Sequence, residues 1–200
     1  DTTATPLTSV YLSAPPDYAQ LDTIKQNLTN IDIVDTTPQD VAELIDNGNI
    51  VALFQGRAEG GPRALGNRSL LCDPRGPDAK ARMNTLKKRE AFRPFAPAIL
   101  AEEAWRYFKM PVQNTPYMQF VAECKDPDGF PGICHYDNTS RVQTVKYQDN
   151  PNFRAILELW QEKTGCPMLM NTSLNVKGEP LVNSLEDAVR WEKLNGVKVY

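Results

Sequence analysis

The chain has 200 residues, 41% of them apolar and 24% charged, with a net charge of −3 and one histidine. That length suits one domain with an ample core, and apolar runs such as Ile50-Val51-Ala52-Leu53-Phe54 fall far short of the ~20 residues of a membrane span. The acidic balance argues against a dedicated nucleic-acid coat, though not against one basic groove. One histidine and four cysteines in no C-x-x-C spacing argue against a metal centre.

Residues 1–9, Thr-rich with Pro6, read as a linker tail ahead of one domain over residues 10–200. The first residues show no secretory pattern and no initiator Met, which points to a piece of a longer polypeptide or a processed form. Residues 10–12 read as a short strand ended by Ala14-Pro15-Pro16. Tyr18, Leu21, Ile24 and Leu28 stand at helical spacing over residues 17–28, and residues 31–34 read as a strand. Thr37 then caps a helix with Pro38 at its first position and Val41, Ala42, Leu44 and Ile45 on its apolar face; Asn47-Gly48-Asn49 stops it.

A buried strand follows over residues 50–54, another over 70–72, a helix over 77–87 and an extended segment over 97–100. Residues 116–122 and 142–145 are strand-like, and residues 153–164 form an amphipathic helix with Ile156, Leu157 and Trp160 inward. A strand over 167–170 runs into Asn171-Thr172-Ser173-Leu174-Asn175. Ser184 caps a last helix with Glu186 and Asp187 in its first turn, and residues 197–200 alternate as a strand. This rhythm is α/β layer packing. Cys72 and Cys166, in apolar surroundings, read as reduced core thiols, hence a cytoplasmic protein.

Four segments carry chemistry. Residues 57–93 hold ten of the chain's 22 basic side chains against four acids, a basic island in an acidic protein. Within it, Gly60 and Gly61 allow positive φ and close backbone approach, so that Arg57, Arg63 and Arg68 can be aimed from a loop that matches no standard nucleotide motif. A tight turn with three solvated arginines is the plain alternative. Next, Pro94 biases Arg93 toward an extended backbone between Phe92 and Phe95, an arrangement that can hold a guanidinium over a pocket; a helix end decorated with cations would look the same.

In the third segment His135 is a candidate general base with Asp137 as its orienting partner, although a lone histidine is more often structural. Arg141, just before an alternating strand, is the more promising residue there. The fourth, residues 170–180, runs a strand into small hydroxyl and amide side chains and a glycine turn, either a phosphate or nucleotide cradle or a simple Asx/Ser turn.

Taken together, Gly61-Pro62-Arg63-Ala64-Leu65-Gly66-Asn67-Arg68-Ser69, Arg89-Glu90-Ala91-Phe92-Arg93-Pro94-Phe95-Ala96-Pro97, Arg141-Val142-Gln143-Thr144 and Asn171-Thr172-Ser173-Leu174-Asn175 with Gly178-Glu179-Pro180 closely resemble the C-terminal region of the carbamoyltransferases, over essentially residues 7–200. The resemblance implies a YrdC-like domain, an open twisted mixed sheet flanked by helices with a concave basic cleft. It implies a partner as well, an N-terminal ASKHA-type domain of the same polypeptide that binds metal through histidines.

The implied chemistry is formation of carbamoyl-adenylate from carbamoyl phosphate and ATP, with Mg2+ arriving on the nucleotide and no metal site of the domain's own. The other domain would pass the carbamoyl group to an acceptor hydroxyl. By motif position, Lys87, Arg93, Arg141 and Ser173 would grip carbamoyl phosphate. Arg63 would meet phosphate or adenylate, with Asn171 and Asn175 on the nucleotide side. Cys72 stands where alanine is usual and Leu174 where phenylalanine is common. The Asn84–Lys87 spacing is about one residue short, which leaves open whether Lys87 or Lys88 enters the cleft. A YrdC-type RNA-binding module and a threonylcarbamoyl-adenylate synthase remain the alternatives.

Overall fold

A computed structural model describes residues 9–21, 23–24 and 36–200. Its first regular helix after residue 36 is α1, Pro38–Asp46, and it starts where the sequence says. Thr37 Oγ1 accepts from the Asp40 N–H while Asp40 returns a bond to the Thr37 N–H, a complete capping box with Pro38 at the first turn. Strands β1, Val51–Phe54, and β2, Arg68–Cys72, are buried along their whole length. They pair antiparallel, with Phe54 opposite Arg68.

Then come α2, Ala79–Leu86; β3, Ala96–Leu100; α3, Ala104–Tyr107; and β4, Phe108–Lys109. Strands β5, Val121–Cys124, β6, Thr139–Arg141, and β7, Gln143–Val145, precede α4, Pro151–Thr164. Strand β8, Met168–Ser173, and helix α5, Leu185–Asn195, complete the set.

Five strands form a mixed sheet in the order β1-β2-β8-β3-β7, antiparallel except for the β3/β7 pair. Strands β4, β5 and β6 form a small antiparallel sheet. The chain passes from the small sheet to the large one through a single residue, the buried Val142. Thr115 holds that crossing: its Oγ1 donates to the Val142 carbonyl and its N–H to Thr144 Oγ1. Arg141 and Gln143 are therefore presented together, one at the end of each sheet.

Helices α1 and α4 pack on each other and on the large sheet. Helix α4 is bounded by an Asn150 cap, Pro151 in its first turn and Gly165 in the left-handed conformation at φ 72. Its Trp160 is fully buried and donates Nε1–H to the Met168 carbonyl, which ties helix to strand while satisfying the indole. The core runs from Ile45 through Leu70, Leu71, Ile99 and Leu169 to Trp191. All four cysteines are buried and free.

Several expectations change. Of residues 116–122 only the end is strand, because Met118 adopts φ 57 in a turn. Residues 197–200 reduce to a bridge between Val199 and Ala52, with Phe54 N–H donating to Tyr200 O. The strand at residues 10–12 is likewise one bridge, Tyr11 with Glu59. Over residues 17–28 a 3-10 turn, Tyr18–Gln20, leads into helical residues 21, 23 and 24. The rest of that helix, the strand at 31–34 and nearly all of the tail at 1–9 lie outside the described residues.

Candidate functional site

The β1–β2 loop is folded by one carboxylate. Glu59 Oε1 accepts N–H bonds from Leu65 (2.7 Å), Asn67 (2.9 Å) and Arg68 (3.3 Å). Positive φ falls at Gly56 and Gly66, not at Gly60 or Gly61 as expected from sequence. Gly66 is required twice over, since its φ is 113 and a Cβ there would sit 2.4 Å from the Phe153 ring. Gly60 supplies close approach only, with Leu12 against it.

Arg68 is not aimed at a ligand. It is fully buried and donates to the carbonyls of Val182, Gln55, Asn67, Gly56 and Asn183, and its guanidinium lies 3.7 Å above the Phe54 ring. Burial brings its pKa down to about 10, with Glu59 opposing. Arg63, five residues earlier, is exposed and has no hydrogen-bond or ion-pair partner among the described residues.

Asn84, buried in α2, shapes the second basic segment. Its Nδ2 donates to the carbonyls of Ala91 and Arg93, and its Oδ1 accepts from Arg89 Nε at 2.7 Å. Arg89 is further held 4.0 Å above the Phe95 ring, and burial followed by Arg93 brings its pKa down to about 10. Arg93 keeps an exposed head, 3.6 Å from Glu90. Arg141 Nη1 donates to the Met118 carbonyl at 3.4 Å, the one side-chain hydrogen bond it makes among the described residues.

These parts meet around one cavity of about 260 Å³. Its walls carry Arg63, Arg89, Arg93, Arg141 and His135, and its floor is the end of β8, with Asn171, Thr172 and Ser173. Another cavity, bounded by Tyr11, Tyr117 and Asn150, has Asp149 as its charged residue and no cation in its lining.

Lys87 stands beside the floor: its Nζ donates to Ser173 O (2.6 Å), Ser173 Oγ (3.2 Å) and Asn175 Oδ1, while Ser173 Oγ donates to Asn175 Oδ1 at 2.8 Å. Burial, then the charge of Arg89, lowers the Lys87 pKa to about 8, because no carboxylate accompanies this ammonium. Lys88 is exposed with φ 50, and its carbonyl accepts from Lys177. Of the two lysines, Lys87 is the one that reaches Ser173 beside the cavity.

Arg63, Arg93, Arg141, Asn171 and Ser173 thus line one cavity, and Lys87 and Asn175 adjoin it through Ser173. Arg89 was missed from sequence; its signal is Asn84 five residues before it and Phe95 six after, a pair that only the folded loop brings together. His135 does line the cavity, with its pKa lowered first by burial. Its expected orientation by Asp137 is not made, since Asp137 Oδ1 accepts from the Thr139 N–H and hydroxyl instead. The lining carries four arginines and no carboxylate, which suits it to neutralising a polyanion.

The family model described as "Carbamoyltransferase C-terminus" matches residues 42–200. The nodulation protein NolO of Bradyrhizobium diazoefficiens is 41% identical over 160 residues, which cover 78% of this chain and 29% of that protein. The 3'-hydroxymethylcephem-O-carbamoyltransferase of Amycolatopsis lactamdurans is 38% identical over 150 residues, covering 75% of this chain and 29% of that protein. The chain therefore spans less than a third of these relatives.

Among solved structures, full-length HypF in a phosphate- and nucleotide-bound form superposes with a TM-score of 0.57 at 22% identity, covering 84% of this chain and 21% of HypF. A Sua5 from P. abyssi does so with a TM-score of 0.55 at 15% identity, covering 81% of this chain and 44% of Sua5. The fold is YrdC-like, a mixed sheet with flanking helices.

Proposed function

This chain belongs to the carbamoyltransferase C-terminal family, and from that premise we propose that it is an adenylating domain, which brings carbamoyl phosphate and ATP together and forms carbamoyl-adenylate. The observation that carries the reading is the convergence of Arg63, Arg89, Arg93 and Arg141 on one cavity, with Ser173 at its floor and Lys87 behind it.

Two phosphate esters resist approach. At ~4 Å and an effective dielectric of ~20 each unit pair of like charges costs about 4 kcal/mol. Guanidinium forks offset that repulsion, and one of them, Arg89, is positioned before the ligands arrive by Asn84 and Phe95. The chemistry balances as two steps. Water takes the phosphoryl group of carbamoyl phosphate, giving carbamate and inorganic phosphate. A carbamate oxygen then attacks the α-phosphorus of ATP; the new O–P bond forms as the bond to the bridging oxygen breaks and pyrophosphate leaves.

Arg93 and Arg141, with Ser173 and Lys87, would hold carbamoyl phosphate, and Arg63 the nucleotide phosphates, with Asn175 on that side. Mg2+ would enter on ATP with phosphate and water as its ligands. Residues 10–200 would act as one domain of a longer polypeptide, whose N-terminal ASKHA-type part transfers the carbamoyl group to an acceptor hydroxyl. The short span of this chain relative to its relatives supports that division. The test is incubation with α-labelled ATP, Mg2+ and carbamoyl phosphate. Labelled carbamoyl-adenylate, with one pyrophosphate and one phosphate released, is the expected outcome. Turnover with bicarbonate and threonine in place of carbamoyl phosphate would overturn it.

A further inference from the structure

Asn171 and Ser173 stand two residues apart on β8 and so share a face of the sheet. Their side chains are differently engaged. Ser173 Oγ is taken by Lys87 and Asn175. Asn171 Nδ2 donates to the Ala64 carbonyl at 3.0 Å and to Gln143 Oε1 at 2.8 Å. Gln143 is itself fixed, its Nε2 donating to the Leu65 carbonyl at 3.1 Å. A backbone carbonyl on the Ala64 side decides which end of the Asn171 amide is nitrogen. The opposite end, Oδ1, is buried and has no partner.

Unpaired buried acceptors are rare and call for a reason. Among the described residues the other buried side-chain atom without a partner is Glu59 Oε2, and Glu59 does not line the cavity. Asn171 is one of the residues around the cavity, and the charged side chains beside it there are all donors: Arg63, Arg89, Arg93 and Arg141 carry only N–H groups. An ionised phosphate has no hydrogen to give, so Oδ1 is of no use to it. What the acceptor requires is a hydrogen donor, and in carbamoyl phosphate the N–H groups lie on the acyl end, not on the phosphate.

We propose that Asn171 is the specificity-determining residue for the acyl end of the substrate: its Oδ1 accepts from the –NH2 of an acyl phosphate and so selects the carbamoyl ester over the isosteric acetyl ester. This rests on the adenylating reading above and moves Asn171 from the nucleotide side, where sequence placed it, to the acyl side. The methyl of acetyl phosphate fills the same space but leaves the acceptor unsatisfied, the situation in which a polar site discriminates best.

The experiment measures, by calorimetry, the affinities of carbamoyl phosphate, acetyl phosphate, inorganic phosphate and ATP for the wild-type protein and for Asn171→Leu and Asn171→Asp. The wild type should bind the carbamoyl ester about tenfold or more tighter than the acetyl ester, as one lost hydrogen bond to a buried acceptor implies. In Asn171→Leu the two esters should converge to within about twofold, with inorganic phosphate affinity kept within about threefold of wild type. Asn171→Asp retains an acceptor, so it should weaken every anion yet keep the carbamoyl preference. Equal affinities in the wild type, a preference that survives Asn171→Leu, or a loss that falls on ATP instead of on the ester pair would each overturn the assignment. Equal wild-type affinities overturn the assignment even where a variant does not fold. Failure of the adenylating reading looks different: neither ester would then bind more tightly than inorganic phosphate.

Discussion

Two arginines five residues apart, one on the β1–β2 loop and one at the start of β2, have opposite fates. Arg68 sits wholly inside, its donors matched to five backbone carbonyls and its plane stacked on Phe54. Arg63 reaches the cavity with no protein partner among the described residues. A cation whose donors end on the protein's own backbone is a strut, whereas one whose donors face a void is there for an anion. Lys87 stands between them: half-buried, and held by neutral groups beside the floor of the site.

The largest effect that would break this contrast is on stability. Arg68→Ala should destabilise the protein by about 3–5 kcal/mol in urea unfolding, because it strands carbonyls of the β1–β2 loop and of the segment before α5. Arg63→Ala should stay within about 0.5 kcal/mol of wild type while weakening nucleotide binding. Equal destabilisation by the two would erase the distinction between strut and ligand group.

Next in size, Gly66→Ala should cost about 1–3 kcal/mol, from a positive φ and a collision with Phe153, read as a lowered urea midpoint. On the ligand side, Arg141→Ala and Lys87→Ala should each weaken carbamoyl phosphate binding by more than about 1 kcal/mol in the same calorimetric titration. Unchanged affinity in both would mean that other cations hold the ester.

The pH dependence sharpens the place of Lys87. Its ammonium is the form that attracts an anion, and its pKa is about 8 instead of the usual 10.5. Affinity for carbamoyl phosphate should therefore be level below pH about 8 and fall above it by up to about tenfold per pH unit. In Lys87→Met that inflection should vanish. The smallest expected effect is at Glu90, whose 3.6 Å contact with Arg93 is half-exposed; Glu90→Gln should change stability by less than about 0.5 kcal/mol.

What the sequence made legible followed from local physics. The caps at Thr37 and Ser184, the apolar stripe with Ile156, Leu157 and Trp160, and the continuous strands around residues 51–54 and 70–72 all answer to neighbours within a few residues. The misreadings have non-local causes. Arg68 and Arg63 look alike in a glycine-bearing loop, and only the pairing of β2 with β1 drives Arg68 inside. Arg89 is one of three consecutive cations until Asn84 and Phe95 close around it. The left-handed residue at Met118, which shortens β5, carries no glycine or asparagine to announce it.

The most direct measurement is a crystal structure of the protein soaked with carbamoyl phosphate and a non-hydrolysable ATP analogue. The expected result is the ester's phosphate within hydrogen-bond reach of Arg93 and Arg141, with the nucleotide phosphates beside Arg63. Anions lodged on another face, with these guanidinium groups still turned to solvent, would contradict the account.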